Sequence, residues 1–182
     1  SCAEWMLKPG GKAENAPDIV NNSWGGSANT SEWFKDMVDS WRAANIFPVF
    51  AAGNKKQDEP EPWPGSIQNP ASLPGSFAVG ATDINNKRGS VSKLGPFLFD
   101  KTIIKPEISA PGVNIRSSVE GGGYEGGWDG TSMAAPHVAG VAALMKSANK
   151  SLTIEEMENI LKETAIPLTD NTYRESPNMG YG

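Results

Sequence analysis

The chain has 182 residues, 38% of them apolar, and this length and composition suit one domain with a sizeable core. Sixteen basic and 21 acidic residues give a formal net charge of −5, and without a basic stripe no nucleic acid is expected as a partner. No apolar run is long enough for a membrane span, and the single cysteine, Cys2, excludes an internal disulfide bond.

Three short apolar runs predict buried strands. They cover residues 17–23, 46–52 and 77–81. The first two runs stop at glycines, Gly25 and Gly53, which are typical of the turn that follows a strand.

Three other stretches are predicted to be helices. Thr30 or Ser31 is predicted to cap the first, because apolar residues recur at helical spacing between residues 33 and 41. The second, residues 138–145, is apolar almost all the way round, which predicts a buried helix. The third begins with a capping-box pair, Thr153 and Glu156.

The alternation of strands and helices predicts an α/β fold with a mostly parallel sheet and helices on both faces. No internal repeat is visible, so residues 1–182 are expected to form a single domain. Ligands of such sheets bind beyond the carboxyl ends of the strands. We therefore expect residues 23–25 and 53–54 to share one cleft with Ser132.

Ser132 stands just before the apolar helix, where it has two interpretations. Serines in this position most often cap the helix. The same place, beside unpaired amide groups and the positive end of the helix dipole, also suits a nucleophile whose reaction develops an oxyanion. Position alone favours the cap.

The segment around this serine resembles a known family. Residues 130–140, Gly-Thr-Ser-Met-Ala-Ala-Pro-His-Val-Ala-Gly, are similar almost letter for letter to the nucleophile segment of the subtilisin-like serine proteases. The resemblance implies a three-layer fold and a secreted endopeptidase that cleaves proteins and peptides through Ser132 without a cofactor. Family members commonly bind structural calcium, so the resemblance allows calcium sites in the longer protein. No cluster of carboxylates with the spacing of a calcium-binding loop occurs in this sequence.

Residues 51–54, Ala-Ala-Gly-Asn, resemble the oxyanion segment of the family, in which the asparagine supplies a side-chain donor. For Asn54 this implies a catalytic role, whereas a Gly-Asn pair by itself usually marks a turn. Residues 23–25 resemble the family's substrate edge, where an extended peptide pairs with the strand. Trp24 is either a pocket residue or a core aromatic. The substrate-binding residues implied in this way are Ser23, Trp24, Gly25, Ala52, Gly53 and Thr131.

The chain has one histidine, His137, and it cannot serve Ser132 as a base. Five residues along the same helix, it is turned roughly 140° away and lies about 7.5 Å further along the axis. The resemblance implies that it is a buried structural residue. In the family the catalytic Asp and His precede the serine, and neither of their segments occurs here.

We therefore expect the chain to be the C-terminal two-thirds of a catalytic domain whose N-terminal part is missing, and to be inactive alone. The alternative is a catalytically inactive relative that binds peptides along its strand edge. Sheet surface left open by the missing strands also predicts self-association.

Overall fold

A computed structural model of the chain describes residues 1–28, 31–97 and 100–168. The helices are α1 (Cys2–Trp5), α2 (Lys35–Ala43), α3 (Thr131–Ala148) and α4 (Ile154–Thr164), with short 3₁₀ turns at Pro9–Gly11 and Ala13–Asn15. The strands are β1 (Ile19–Asn22), β2 (Phe47–Ala51), β3 (Phe77–Thr82), β4 (Ile108–Pro111), β5 (Ile115–Ser118) and β6 (Tyr124–Trp128).

Four strands form one parallel sheet in the order β1-β2-β3-β4. Ile19 lies opposite Phe47, Val49 opposite Phe77, and Val79 opposite Ile108. The prediction of a mostly parallel sheet is confirmed, although β4 was not among the predicted strands. β5 and β6 form a separate antiparallel hairpin.

The side chains of β2 alternate between two cores, as the pleat of a strand requires. Phe47, Val49 and Ala51 belong to the core shared with α3 and α4, whereas Phe50, and Ala52 directly after the strand, belong to the core shared with α2. Helices therefore cover both faces of the sheet, as predicted. A strand buried on both faces explains the continuous apolar run from which β2 was predicted.

Helix α2 begins later than the sequence predicts. It starts at Lys35, and Phe34 in the N-cap position makes no capping hydrogen bond with its side chain. The Ser31 hydroxyl accepts the N–H of Trp33 at 3.4 Å instead, which closes a local turn before the helix. A cap at Ser31 is therefore wrong, and Thr30 lies outside the described residues.

Helix α3 lies across all four strands of the sheet. Its inner face, with Ala134, Ala135 and Ala142, is buried against them. On its outer face Val141 is 47% and Leu144 is 71% exposed. The prediction of burial all the way round is wrong, because the sheet covers only one side of the helix.

Helix α4 begins with the predicted capping box. The Thr153 hydroxyl accepts the N–H of Glu156 at 3.2 Å, and the Glu156 carboxylate accepts the N–H of Thr153 at 2.8 Å. Arg42 of α2 reaches Glu158 of α4, which ties the two outer layers together. In the part of the chain that the structure describes, no helix is long and apolar enough to cross a membrane.

Candidate active site

Ser132 is the second residue of α3 and is joined to the end of β1 by two hydrogen bonds. Its hydroxyl donates to Ser23 O at 3.2 Å, and the Ser23 hydroxyl donates to Ser132 O at 2.8 Å. Gly130 occupies the N-cap position of α3, and no side chain caps the helix there. The interpretation of Ser132 as a helix cap is therefore wrong, and its hydroxyl lies half-buried in the cleft where β1 ends.

Asn54, which follows β2, meets the same helix terminus. Its Oδ1 accepts two hydrogen bonds from Thr131, one from the backbone N–H at 2.8 Å and one from the hydroxyl at 2.9 Å. With its oxygen fixed in this way, the amide turns Nδ2 towards Gly130, where an added Cβ would stand only 3.1 Å from that nitrogen. The side chain is therefore a preorientated N–H donor beside the start of α3, where the N–H of Ser132 makes no hydrogen bond among the described residues.

Thr131 is completely buried. Its hydroxyl accepts the N–H of Gly53 at 3.1 Å while it donates to Asn54. Ala52 is also completely buried, and its N–H donates to Val79 O at 3.0 Å. Ala52 and Thr131, both predicted to bind substrate, have no exposed surface for that contact, and Thr131 supports Asn54 from behind.

The predicted substrate edge, residues 23–25, lies open beside Ser132. Among the described residues no backbone hydrogen bond uses the N–H or the C=O of Trp24 or Gly25. The Trp24 ring is 44% exposed, yet it packs edge-on against Phe34 and Phe50 at centroid distances of 5.3 and 5.9 Å. One side of the Trp24 ring therefore joins the core and the other faces solvent, and its role as a pocket residue stays a prediction.

Lys93 fixes the loop that follows Asn54. Its N–H donates to Gly53 O at 3.0 Å, and its ammonium lies 2.5 Å from the Glu59 carboxylate and 5.0 Å from the Trp63 ring. The hydrogen bond from Lys93 holds the pKa of Glu59 below its ordinary value. The ion pair thus fastens the loop to the same backbone that supports Asn54.

His137 is exposed rather than buried, which corrects the expectation drawn from the family resemblance. Its Nδ1 lies 2.8 Å from Met133 O, one turn back along α3. Within the described residues no hydrogen bond joins this ring to the Ser132 hydroxyl, in agreement with the helical geometry.

An open cavity of about 470 Å³ lies between α3 and the β5–β6 hairpin. Ser132, Met133 and His137 line its α3 side, and Trp128 lines its hairpin side. Trp128 was not among the predicted site residues, although its place two residues before Gly130 is a usable signal. Across the described ranges no group of three or more His, Cys, Asp or Glu side chains could hold a metal ion.

Comparison with known proteins places this geometry in a family. A family profile described as the subtilase family matches residues 3–182. The chain belongs to the subtilase family. It is 60% identical over 184 residues to bacillopeptidase F of Bacillus subtilis, covering 98% of this chain and 13% of that protein. It is also 39% identical to alkaline elastase YaB of Bacillus sp., covering 88% of this chain and 38% of that protein.

Solved structures agree with this assignment. A cold adapted subtilisin-like serine proteinase superposes with a TM-score of 0.75 at 28% identity, over 98% of this chain and 58% of that one. The prenylagaramide maturation protease PagA gives a TM-score of 0.75 at 27% identity, over 95% and 61% of the two chains. The chain thus spans less than two-thirds of each of these relatives, and the predicted subtilisin-like fold is confirmed.

Proposed function

We propose that this subtilase chain is the nucleophile-bearing part of a serine endopeptidase. The observation that carries the proposal is that Thr131, the residue directly before Ser132, holds the Asn54 amide at the start of α3. An N–H donor held in place before the reaction is what stabilises the oxyanion of acyl transfer. A merely structural serine has no use for such a donor.

The reaction follows from these positions. Ser132 Oγ attacks the carbonyl carbon of the substrate peptide, and its proton passes to a general base. The negative charge that develops on the carbonyl oxygen is held by Asn54 Nδ2 and the Ser132 N–H. The base then gives its proton to the leaving amine as the C–N bond breaks, and water hydrolyses the acyl-enzyme by the same steps in reverse.

We place the base and the carboxylate that orients it outside residues 1–182. His137 points its Nδ1 at Met133 O, and within the described ranges Ser132 has no imidazole partner. A base must come within about 2.6–3.2 Å of the hydroxyl. The cavity beside Ser132 and Trp128 has the volume to admit an imidazole. The chain alone is accordingly expected to have little or no hydrolytic activity.

The substrates are proteins and peptides that bind in an extended conformation. The free backbone groups of Trp24 and Gly25 can pair with such a strand whatever its sequence. We also propose that the longer protein is secreted and that its chemistry needs no cofactor. Any structural calcium would bind outside the described residues. Self-association through the outer edge of β1, which ends the sheet, also stays a prediction.

Labelling with a fluorophosphonate tests the proposal. The reagent is applied to residues 1–182 and to a form extended at its N-terminus by the residues encoded upstream, with Ser132→Ala as the negative control. Ser117→Ala is the matched control, because Ser117 lines the same cavity but belongs to β5 rather than to the start of α3. We expect strong labelling of the extended form only, lost in Ser132→Ala and retained in Ser117→Ala.

Two other outcomes would contradict parts of the proposal. Equal and strong labelling of both forms would show that the base is not upstream. Absence of labelling in the extended form, together with saturable binding of unstructured peptides, would favour the alternative of a peptide-binding relative without catalysis.

A further inference from the structure

Two neighbouring residues at the start of α3 are each joined to the end of a different strand. The N–H of Thr131 donates to Asn54 Oδ1 at 2.8 Å, after β2. The hydroxyl of Ser23, the residue after β1, donates to Ser132 O at 2.8 Å. One attachment alone would leave the first turn of the helix free to pivot about it. The two together fix Ser132 relative to the ends of both strands.

The carbonyl of Ser132 is available for this bond because α3 itself leaves it without its usual partner. In an α-helix the C=O of each residue accepts the N–H of the residue four further on. For Ser132 that residue is Pro136, which has no N–H. A proline ring also crowds the carbonyl four residues before it, which favours an outward tilt of that carbonyl. Pro136 thus creates the acceptor that the Ser23 hydroxyl uses.

A second side chain orients the Ser23 hydroxyl. Asn21 Nδ2 donates to Ser23 Oγ at 3.0 Å. A hydroxyl has a single proton, and the oxygen that accepts from Asn21 directs its own proton to Ser132 O. The Ser132 hydroxyl in turn donates to Ser23 O at 3.2 Å. The side chains of Ser23 and Ser132 therefore each bond to the backbone of the other residue.

The edge on which a peptide can lie begins at the next residue. Trp24 and Gly25 directly follow Ser23 and carry the backbone groups that an extended peptide can pair with. The hydrogen bond between Ser23 and Ser132 therefore sets the distance from this edge to the nucleophile. Displacement of a reacting group by about 1 Å can lower a rate about 100-fold.

The geometry points to Ser23 as a positioning residue, whose hydroxyl binds the carbonyl that Pro136 leaves free and so holds Ser132 against the strand that receives the peptide. The inference rests on the proposed endopeptidase function. The Ser23 side chain acts through Ser132, and it needs no contact of its own with the reacting atoms.

Steady-state kinetics of the N-terminally extended protein tests this inference. Ser23→Ala removes the hydroxyl and keeps the backbone of the peptide edge. We expect kcat to fall by about 10- to 100-fold, with KM within a few-fold because the peptide still pairs with Trp24 and Gly25. End-point titration with a fluorophosphonate corrects kcat for any loss of folded protein. Ser23→Thr keeps the hydroxyl and is expected to restore most of kcat.

Ser40→Ala is the matched control for these variants. The Ser40 hydroxyl donates to Asp36 O at 2.6 Å within α2, so the change deletes the same kind of bond on another helix. It is expected to leave kcat and KM unchanged. A kcat of Ser23→Ala within a few-fold of the unmodified protein, or a Ser23→Thr variant as slow as Ser23→Ala, would overturn the inference and leave the endopeptidase function intact.

Pro136→Ala tests the origin of the free carbonyl. The alanine N–H can bond to Ser132 O within α3, so that this carbonyl no longer depends on Ser23. We expect Ser23→Ala to lower kcat by only a few-fold in the Pro136→Ala background, a coupling that a double-mutant cycle measures. Equal losses in both backgrounds would overturn the inference that Ser23 acts through this carbonyl.

An NMR measurement on residues 1–182 decides whether Ser23 holds Ser132 even if the extended protein cleaves no peptide, the outcome that would refute the endopeptidase function itself. The carbonyl ¹³C resonance of Ser132 is recorded through the amide of Met133. Loss of the hydrogen bond is expected to move this resonance upfield in Ser23→Ala, and not in Ser23→Thr or Ser40→Ala. An unchanged resonance in Ser23→Ala would overturn the inference.

Discussion

The two sides of Ser132 differ in how completely their polar groups are partnered. On the side of Asn54, three hydrogen bonds of 2.8–3.1 Å join Thr131, Gly53 and Asn54, and Thr131 and Gly53 are buried. On the other side His137 is exposed, and an open cavity separates α3 from the hairpin. Electrostatic stabilisation needs groups that are fixed before the reaction, and only the first side has them. Under the proposed function, the first is the oxyanion side, and the second is the side at which a base from outside residues 1–182 would act.

The largest expected effect comes from removing the donor on the closed side. Asn54→Asp keeps an oxygen for Thr131 to donate to, but it replaces the amide donor with an acceptor. In the extended protein we expect kcat to fall by roughly 100- to 1,000-fold with little change in KM, the loss known for an oxyanion-hole asparagine of subtilisin, a member of the same family. Steady-state kinetics on a peptide substrate measures both parameters.

Thermal unfolding is the control for this variant, because a loss of folded protein would also lower the apparent kcat. A midpoint close to that of the unmodified protein assigns the loss to the transition state. If kcat stays within a few-fold, Asn54 is only a turn residue and the closed side has no oxyanion role.

A smaller effect is expected when the support behind Asn54 is removed. Thr131→Val deletes the hydroxyl that accepts the Gly53 N–H and donates to Asn54 Oδ1. Leaving that buried N–H without a partner costs about 1–3 kcal/mol of unfolding free energy. We expect urea denaturation of residues 1–182 to show this loss, and kcat of the extended protein to fall because Asn54 is held by the backbone N–H alone.

Thr131→Ser supplies the comparison for this variant, since it keeps the hydroxyl. It should restore kcat and most of the stability. If Ser and Val behave alike, the methyl group rather than the hydroxyl matters, and Thr131 does not position Asn54.

Strands β1, β2 and β3 and the helix that carries Ser132 could be predicted because their signals are local. The apolar run that ends at Gly53 identifies β2, and the apolar helix after Ser132 identifies α3. β6 could not be predicted in this way, because Tyr124–Trp128 contains two glycines and is a strand only through pairing with β5. The burial of Thr131 likewise depends on a contact with Asn54, 77 residues away.

The exposure of a side chain also depends on which other parts of the molecule pack against it, and not on the residue type alone. Leu144 belongs to a helix whose composition predicts burial on every side, yet it is 71% exposed. The same holds for His137, which the family resemblance placed in a buried site. The apolar residues of a helix show that a face can be buried, but they do not show whether this chain contains the element that would bury it.

The smallest effect is expected on this open face, and it sharpens the comparison most. Leu144→Lys in residues 1–182 should change the unfolding free energy by no more than about 0.5 kcal/mol, as surface substitutions do. Val138 is buried on the inner face of the same helix. Val138→Lys should therefore lower the unfolding free energy by several kcal/mol, because it buries a charge. Urea denaturation measures both.

The same Leu144→Lys change in the extended protein then asks what covers the open face. If the residues that supply the base pack on α3, the lysine becomes buried there, and we expect a destabilisation well above the value found for residues 1–182. Because Leu144 lies more than three turns from Ser132, such a difference would report packing of the added segment rather than disturbance of the nucleophile. Equal and small effects in both forms would mean that the face stays open, and that the base reaches Ser132 without contact with the outer part of α3.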